Sequence, residues 1–177
     1  MRRALNGILF TLAAVVIGGC GGSNSSTPTA PSGNNYSVTL SGAVTGTLTY
    51  APVEGGYNDS LNVCTVVGAF SGTINNVTYQ LTVAPTFVGT LQAKAYHNTD
   101  TGANGGLSLS TATYQTWMAA AGDIAQGSYT VTVASTGTGI TDHHVHAYTG
   151  GHGTITATLP ALIESGSTGT VTVTINY

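Results

Sequence analysis

Thr170-Val171-Thr172-Val173-Thr174-Ile175-Asn176 and, before it, Thr154-Ile155-Thr156-Ala157-Thr158-Leu159 alternate a polar side chain with an apolar one at every step. Successive side chains of a β-strand point to opposite faces, so this period puts the aliphatics on one side and the hydroxyls on the other. Such a strand is half buried, as in an antiparallel sheet with one wet face. The same pattern recurs at Val77, Tyr79, Leu81 and Val83, and at Val131 and Val133.

Working outward, further strands are expected at Ser37 to Leu40, Val44 to Tyr50, Leu61 to Val67, Phe87 to His97 and Leu107 to Thr111, separated by Gly, Asn and Asp turns. About 8–10 short strands, each with one face to cover, predict an all-β fold of two packed antiparallel sheets, with a closed barrel as the alternative. One segment breaks the period. Tyr114, Trp117, Met118 and Ala121 fall at helical spacing with Gly122 as a stop, which predicts one short helix near 113–121. Trp117 is read as core packing.

The first residues have a different character. Met1, Arg2 and Arg3 precede an apolar run from Ile8 to Ile17, then Gly18, Gly19 and Cys20, the layout of a cleaved export signal and too short to span a bilayer. The segment V-I-G-G-C ending at Cys20 resembles the lipobox of bacterial lipoproteins. That resemblance implies removal of residues 1–19, acylation of Cys20 and attachment to a membrane outside the cytoplasm. With Gly21 rather than Asp after the cysteine, it implies the outer membrane. Two or more acyl chains make such an anchor effectively permanent. Residues 20–35, rich in Gly, Ser, Pro and Asn, read as a flexible tether, and 36–177 as a single β-rich domain. Its blocks S-G-A-V-T-G-T-L-T and G-T-I-T-A-T-L resemble those of Thr/Gly-rich β-domain lipoproteins, a likeness that implies no catalytic residue.

Charge narrows the partners. After cleavage only Lys94 remains against six acids, a formal charge of −5, which supplies nothing to neutralise phosphates and excludes nucleic acid. Cys64 is left without a thiol partner once Cys20 is acylated, and is read as a small buried apolar residue. No serine-hydrolase elbow, phosphate loop or dinucleotide fingerprint occurs, and the acids are scattered singly, so no catalytic residue is assigned. Asp100 and Asn104, in the loop Asn98 to Gly106, read as a polar turn rather than a Ca²⁺ loop.

The concentrated chemistry is D-H-H-V-H, Asp142 to His146, followed by His152. If the flanking segments form a hairpin around Thr149, Gly150 and Gly151, Val145 faces Ile155, and His144, His146 and His152 converge on the outer face with Asp142 beside them. Three imidazoles with an open position suit Zn or Cu. His97 shares the parity of Phe87 and Leu91 and is expected to face the core. Three functions are compatible with these residues: a membrane-anchored binding or structural domain with a carbohydrate or protein partner, a metal-binding lipoprotein, and a metal-dependent hydrolase.

Overall fold

The computed structural model describes residues 36–122 and 125–177, all within one compact unit, Gly33–Tyr177. The signal, Cys20 and the tether therefore lie outside the described residues. Fourteen strands are present among the described residues: β1 Ser37–Gly42, β2 Gly46–Leu48, β3 Glu54–Asn58, β4 Val63–Ile74, β5 Val77–Val83, β6 Thr86–Val88, β7 Ala95–His97, β8 Gly105–Thr111, β9 Thr116–Ala121, β10 Ser128–Ser135, β11 Thr138–Asp142, β12 Val145–Thr149, β13 His152–Pro160 and β14 Thr170–Asn176. They form two antiparallel sheets that do not close into a barrel, one in the order β2-β1-β14-β13-β10-β7 and the other β11-β12-β3-β4-β5-β8-β9, with β6 also on β4.

The two-residue period decides which face is buried. Val171, Val173, Ile175, Ile155, Leu159 and Val131 are fully buried on the inner side of the first sheet, opposite Cys64, Val66, Leu81, Val83, Leu107 and Leu109 of the second. Each large aliphatic withdrawn from water contributes roughly 1.5–3 kcal/mol, so this doubled inner face is what holds the sheets together. The outer side of the first sheet is a register-matched lattice across β1, β14, β13 and β10. Its rows are Ser37-Asn176-Thr154-Thr132, Thr39-Thr174-Thr156-Thr130 and Ser41-Thr172-Thr158-Ser128. No charged or aromatic side chain interrupts it.

Two local features explain the second sheet. Ile74 pairs with Val77 across Asn75 and Asn76, whose φ values of 50° and 65° give the left-handed two-residue turn that matches strand twist. Pro85 then splits one long strand into β5 and β6 without changing its pairing with β4, because proline cannot donate to the ladder.

The expected helix near 113–121 is not formed. Thr116–Ala121 is strand β9, paired residue by residue with β8 from Ser110–Thr116 to Gly105–Ala121. Tyr114 stands in an exposed turn at φ 65°. Trp117, Ala119 and Ala121 bury the strand's inner face while Met118 and Ala120 on the other are half-buried and buried, so apolar residues on both faces of a strand gave the helical spacing of Trp117, Met118 and Ala121. Trp117 is core, as expected, with its indole N–H donating to the Thr168 carbonyl at 3.1 Å.

Candidate functional site: an open strand edge and its histidine tip

β10 and β11 are two halves of one bent strand, and β12 and β13 are two halves of its partner. Ser135 pairs with His152 in the first sheet, and Thr138 pairs with Thr149 in the second. The ribbon crosses between sheets at Gly137 and Gly150, both at positive φ, a corner of the kind that bent strands make in sandwiches. Gly137 has a second reason to lack a side chain, since a Cβ there would strike the Thr149 carbonyl oxygen.

This corrects the predicted hairpin. Gly150 and Gly151 are the bend, and the turn is His143-His144, closed by the pair Asp142–Val145. Ile155 and Ala157 are taken by the core between β10 and β14, whereas Val145 faces solvent. His152 therefore belongs to the other sheet, opposite Ser135, and does not join His144 and His146. Asp142 shares the face of Val145, opposite to theirs, and its Oδ1 lies 2.6 Å from Nδ1 of His143. His97 also departs from expectation: the chain leaves strand geometry at Gly89 (φ 94°), which breaks the parity. Tyr96 becomes the buried residue and His97 faces solvent, 3.1 Å from the Thr130 hydroxyl.

His144 and His146 do share a face, and a residue that sequence reading passed over joins them. Asp59 follows β3, whose pairing with β12 is continued by the Asp59 N–H donating to the His144 carbonyl at 3.0 Å. Asp59 Oδ1 is 2.8 Å from His144 Nδ1, and Oδ2 is 3.7 Å from His146 Nε2. The Thr141 hydroxyl meets His146 Nδ1 at 3.0 Å, and the Tyr57 ring lies 5.5 Å from the imidazole. Partial desolvation raises the Asp59 carboxyl, but the hydrogen bond with His144 and the nearby imidazoles of His144 and His146 outweigh it and hold it below the usual carboxylate range. Thr141, His146 and Asp59 thus stand in the order hydroxyl, imidazole, carboxylate. The 3.7 Å separation is too long for the hydrogen bond a catalytic relay needs.

Among the described residues no group of three or more His, Cys, Asp or Glu side chains is disposed to hold a metal ion. The Zn or Cu site expected at His144, His146, His152 and Asp142 is split across two sheets and two faces. Asp100 and Asn104 act as turn residues, accepting from the backbone N–H of His97 at 2.8 Å and Gly105 at 2.7 Å. Cys64 is fully buried and unpaired, and burial pushes its thiol pKa up.

The other face of the ribbon is open and carries exposed aliphatics beside Asp142. Val145, Asn58, Val63 and Val88 lie in one row across β12, β3, β4 and β6, with Ile140 diagonal to Val145 on β11. Ile140, Val145 and Val88 remain 63%, 51% and 55% exposed. All five residues of β11 are exposed.

Comparison of the chain with protein-family profiles, with curated proteins and with solved structures finds no match.

Proposed function

We propose that the chain is an exported lipoprotein, held on a membrane by acyl chains at Cys20, whose β-sandwich binds another protein rather than catalysing a reaction. The membrane is the outer one where a cell has two. The leader and lipobox-like segment support the anchor. The observation that carries the binding role is the ribbon β11–β12, which brings an open strand edge and exposed aliphatics together on one corner of the molecule. Edges of this kind template pairing with another chain unless they are blunted, and exposed apolar clusters mark interaction sites.

A carbohydrate partner is the second reading, favoured by the uncharged hydroxyl lattice on the first sheet. Acyl labelling of the native host tests the anchor: label is expected on the wild-type chain and not on Cys20→Ala. An unlabelled, uncleaved wild-type chain recovered from the cytosol would overturn the export reading. A glycan array with the purified chain separates the two partner classes, since binding that Thr156→Lys abolishes would move the function to the lattice.

A further inference from the structure

We infer that β11 takes up an extended polypeptide as an added antiparallel strand, and that the segment it selects carries an aliphatic side chain and a lysine or arginine two residues apart, on one face. This partner chemistry rests on the protein-binding role of the sandwich and is independent of the lipid anchor.

The sheet edges differ. In the first sheet, β2 and β7 have three residues each, and the chain after β2 continues into a bridge between Thr49 and Ser71. In the second, β9 is covered along its length: Leu162 N–H donates to the Thr116 carbonyl at 2.8 Å, Trp117 bridges Ala161, and Ala120 and Gln126 exchange backbone hydrogen bonds. Among the described residues β11 has β12 on one side and no strand on the other. Its sequence, T-G-I-T-D, has no lysine or proline to blunt the edge, and its one charge, Asp142, stands at the end of the strand.

The hairpin turn fixes which backbone groups are free. With a two-residue loop, Asp142 and Val145 form a hydrogen-bonded pair, so residues 138, 140 and 142 bond inward to β12. The N–H and C=O of Gly139 and Thr141 therefore face away from the sheet, a template for up to four main-chain hydrogen bonds. Strand addition draws affinity from such bonds and specificity from alternate side chains.

Those side chains define the partner. On the outer face an incoming strand would set an aliphatic residue against Ile140, whose row runs on through Ala147 and Gly56, and two residues along a cation against Asp142, whose row runs on through Val145. The fixed charges are acidic: Asp142 on β11 itself, 86% exposed in its side chain, and Glu54 and Asp59 at the two ends of β3. His143 is the neighbour of Asp142, and His144 and His146 face Asp59. Lys94, the sole Lys or Arg among the described residues, is engaged over the Tyr96 ring at 4.6 Å. The corner thus favours a cationic strand. A second copy would bring the same acids and, among the described residues, no Lys or Arg besides Lys94, so like charges oppose self-pairing through β11.

The test uses the full chain in detergent and a fluorescent heptapeptide, Thr-Val-Thr-Lys-Thr-Val-Thr, with valine and lysine on one face, read by anisotropy against empty micelles. Saturable binding that weakens with added salt is expected. N-methylation of alternate peptide nitrogens along one edge, or replacement of lysine by glutamate, should each weaken it by about tenfold or more, since the first removes strand pairing and the second reverses the charge. Ile140→Lys should do the same with an unchanged melting temperature, and Asp142→Asn should weaken binding several-fold. Equal affinity for the N-methylated peptide, indifference to Ile140→Lys, or no binding to folded chain would overturn the assignment. A concentration-dependent dimer dissociated by Ile140→Lys would give the edge to a second copy and likewise overturn it. Failure here with acyl label still on Cys20 removes the edge and leaves the anchor, whereas binding without label does the reverse.

Discussion

His144 Nδ1 lies 2.8 Å from Asp59 Oδ1, joining residues 85 apart in sequence. The contact ties the tip of the β11–β12 ribbon to the end of β3, and the Asp59 N–H reinforces it by donating to the His144 carbonyl. Both side chains are substantially exposed, so the contact orders the tip more than it stabilises the sandwich. Asp59→Asn is accordingly expected to leave the global melting temperature nearly unchanged while speeding amide exchange in 141–146. A large drop in melting temperature with no local change would contradict this.

Acid should release the same contact. The Asp59 carboxyl titrates below its ordinary value of 3.8, so the stabilisation it provides is present above that value and is lost as pH falls through the folded-state pKa. A carbon-detected NMR titration of the Asp59 carboxyl should have its midpoint below 3.8, and His144→Ala should move that midpoint upward. A wild-type midpoint at or above 3.8 would remove the clamp.

The ribbon's bend makes an ordered pair of expectations. Gly137 and Gly150 both have positive φ, at 77° and 70°, but a Cβ at Gly137 would collide with backbone of residues 149–151, whereas one at Gly150 meets nothing within 4 Å. Gly150→Ala should cost about 1 kcal/mol from backbone strain alone, and Gly137→Ala clearly more. Urea unfolding of the two variants checks the order, and a Gly150→Ala cost equal to or above that of Gly137→Ala would contradict the crossing geometry.

The sandwich was legible where one strand face is buried and the other wet, because that constraint writes itself locally into the sequence, as at Thr170 to Asn176. The ribbon was not, since its strands are wet on both faces and their register carries no hydrophobic signature. Gly150-Gly151 looked like the turn because glycine is the usual supplier of positive φ. The actual turn places His143 there, at φ 52°, a residue type that tolerates the left-handed region better than most. Asp59 could not have been found by spacing, since only the pairing of β3 with β12 brings it to the histidines. β9 misled in another way: Trp117 and Met118 point to opposite faces that are both at least partly covered, so apolar residues fall at helical spacing in a strand, and the ladder to β8 makes the choice.

Cys64 gives a chemical readout of the core. Its side chain is fully buried between β3 and β6, and burial raises its pKa, which lowers thiolate at neutral pH as well as access. Thiol-modifying reagents should leave it untouched in the native protein and modify it at the rate of unfolding as urea is added. Rapid modification without denaturant would show that β6 opens on its own.

Alkaline pH should unfold the protein through its buried tyrosines. Desolvation pushes Tyr96, Tyr129 and Tyr177 up to about 12 from an ordinary 10. The Tyr129 hydroxyl can donate to the Gly105 carbonyl at 3.4 Å, and that of Tyr177 to the Thr132 carbonyl at 3.5 Å, bonds that only the protonated phenol makes. A folded-state pKa above the unfolded value means that the stabilisation is fully present below pH 10 and is lost as pH rises towards 12. Across that window each tyrosine removes up to about 1.4 kcal/mol per pH unit, so the three together would take a large share of a domain stability on the order of 5–15 kcal/mol. Phenolate absorbance should then show a delayed, cooperative rise that coincides with loss of β-structure by circular dichroism. Tyr129→Phe should shallow the decline of urea-measured stability between pH 10 and 12. Full phenolate formation at pH 10 to 11 in a protein that keeps its β-structure would show that these hydroxyls are not withdrawn from water.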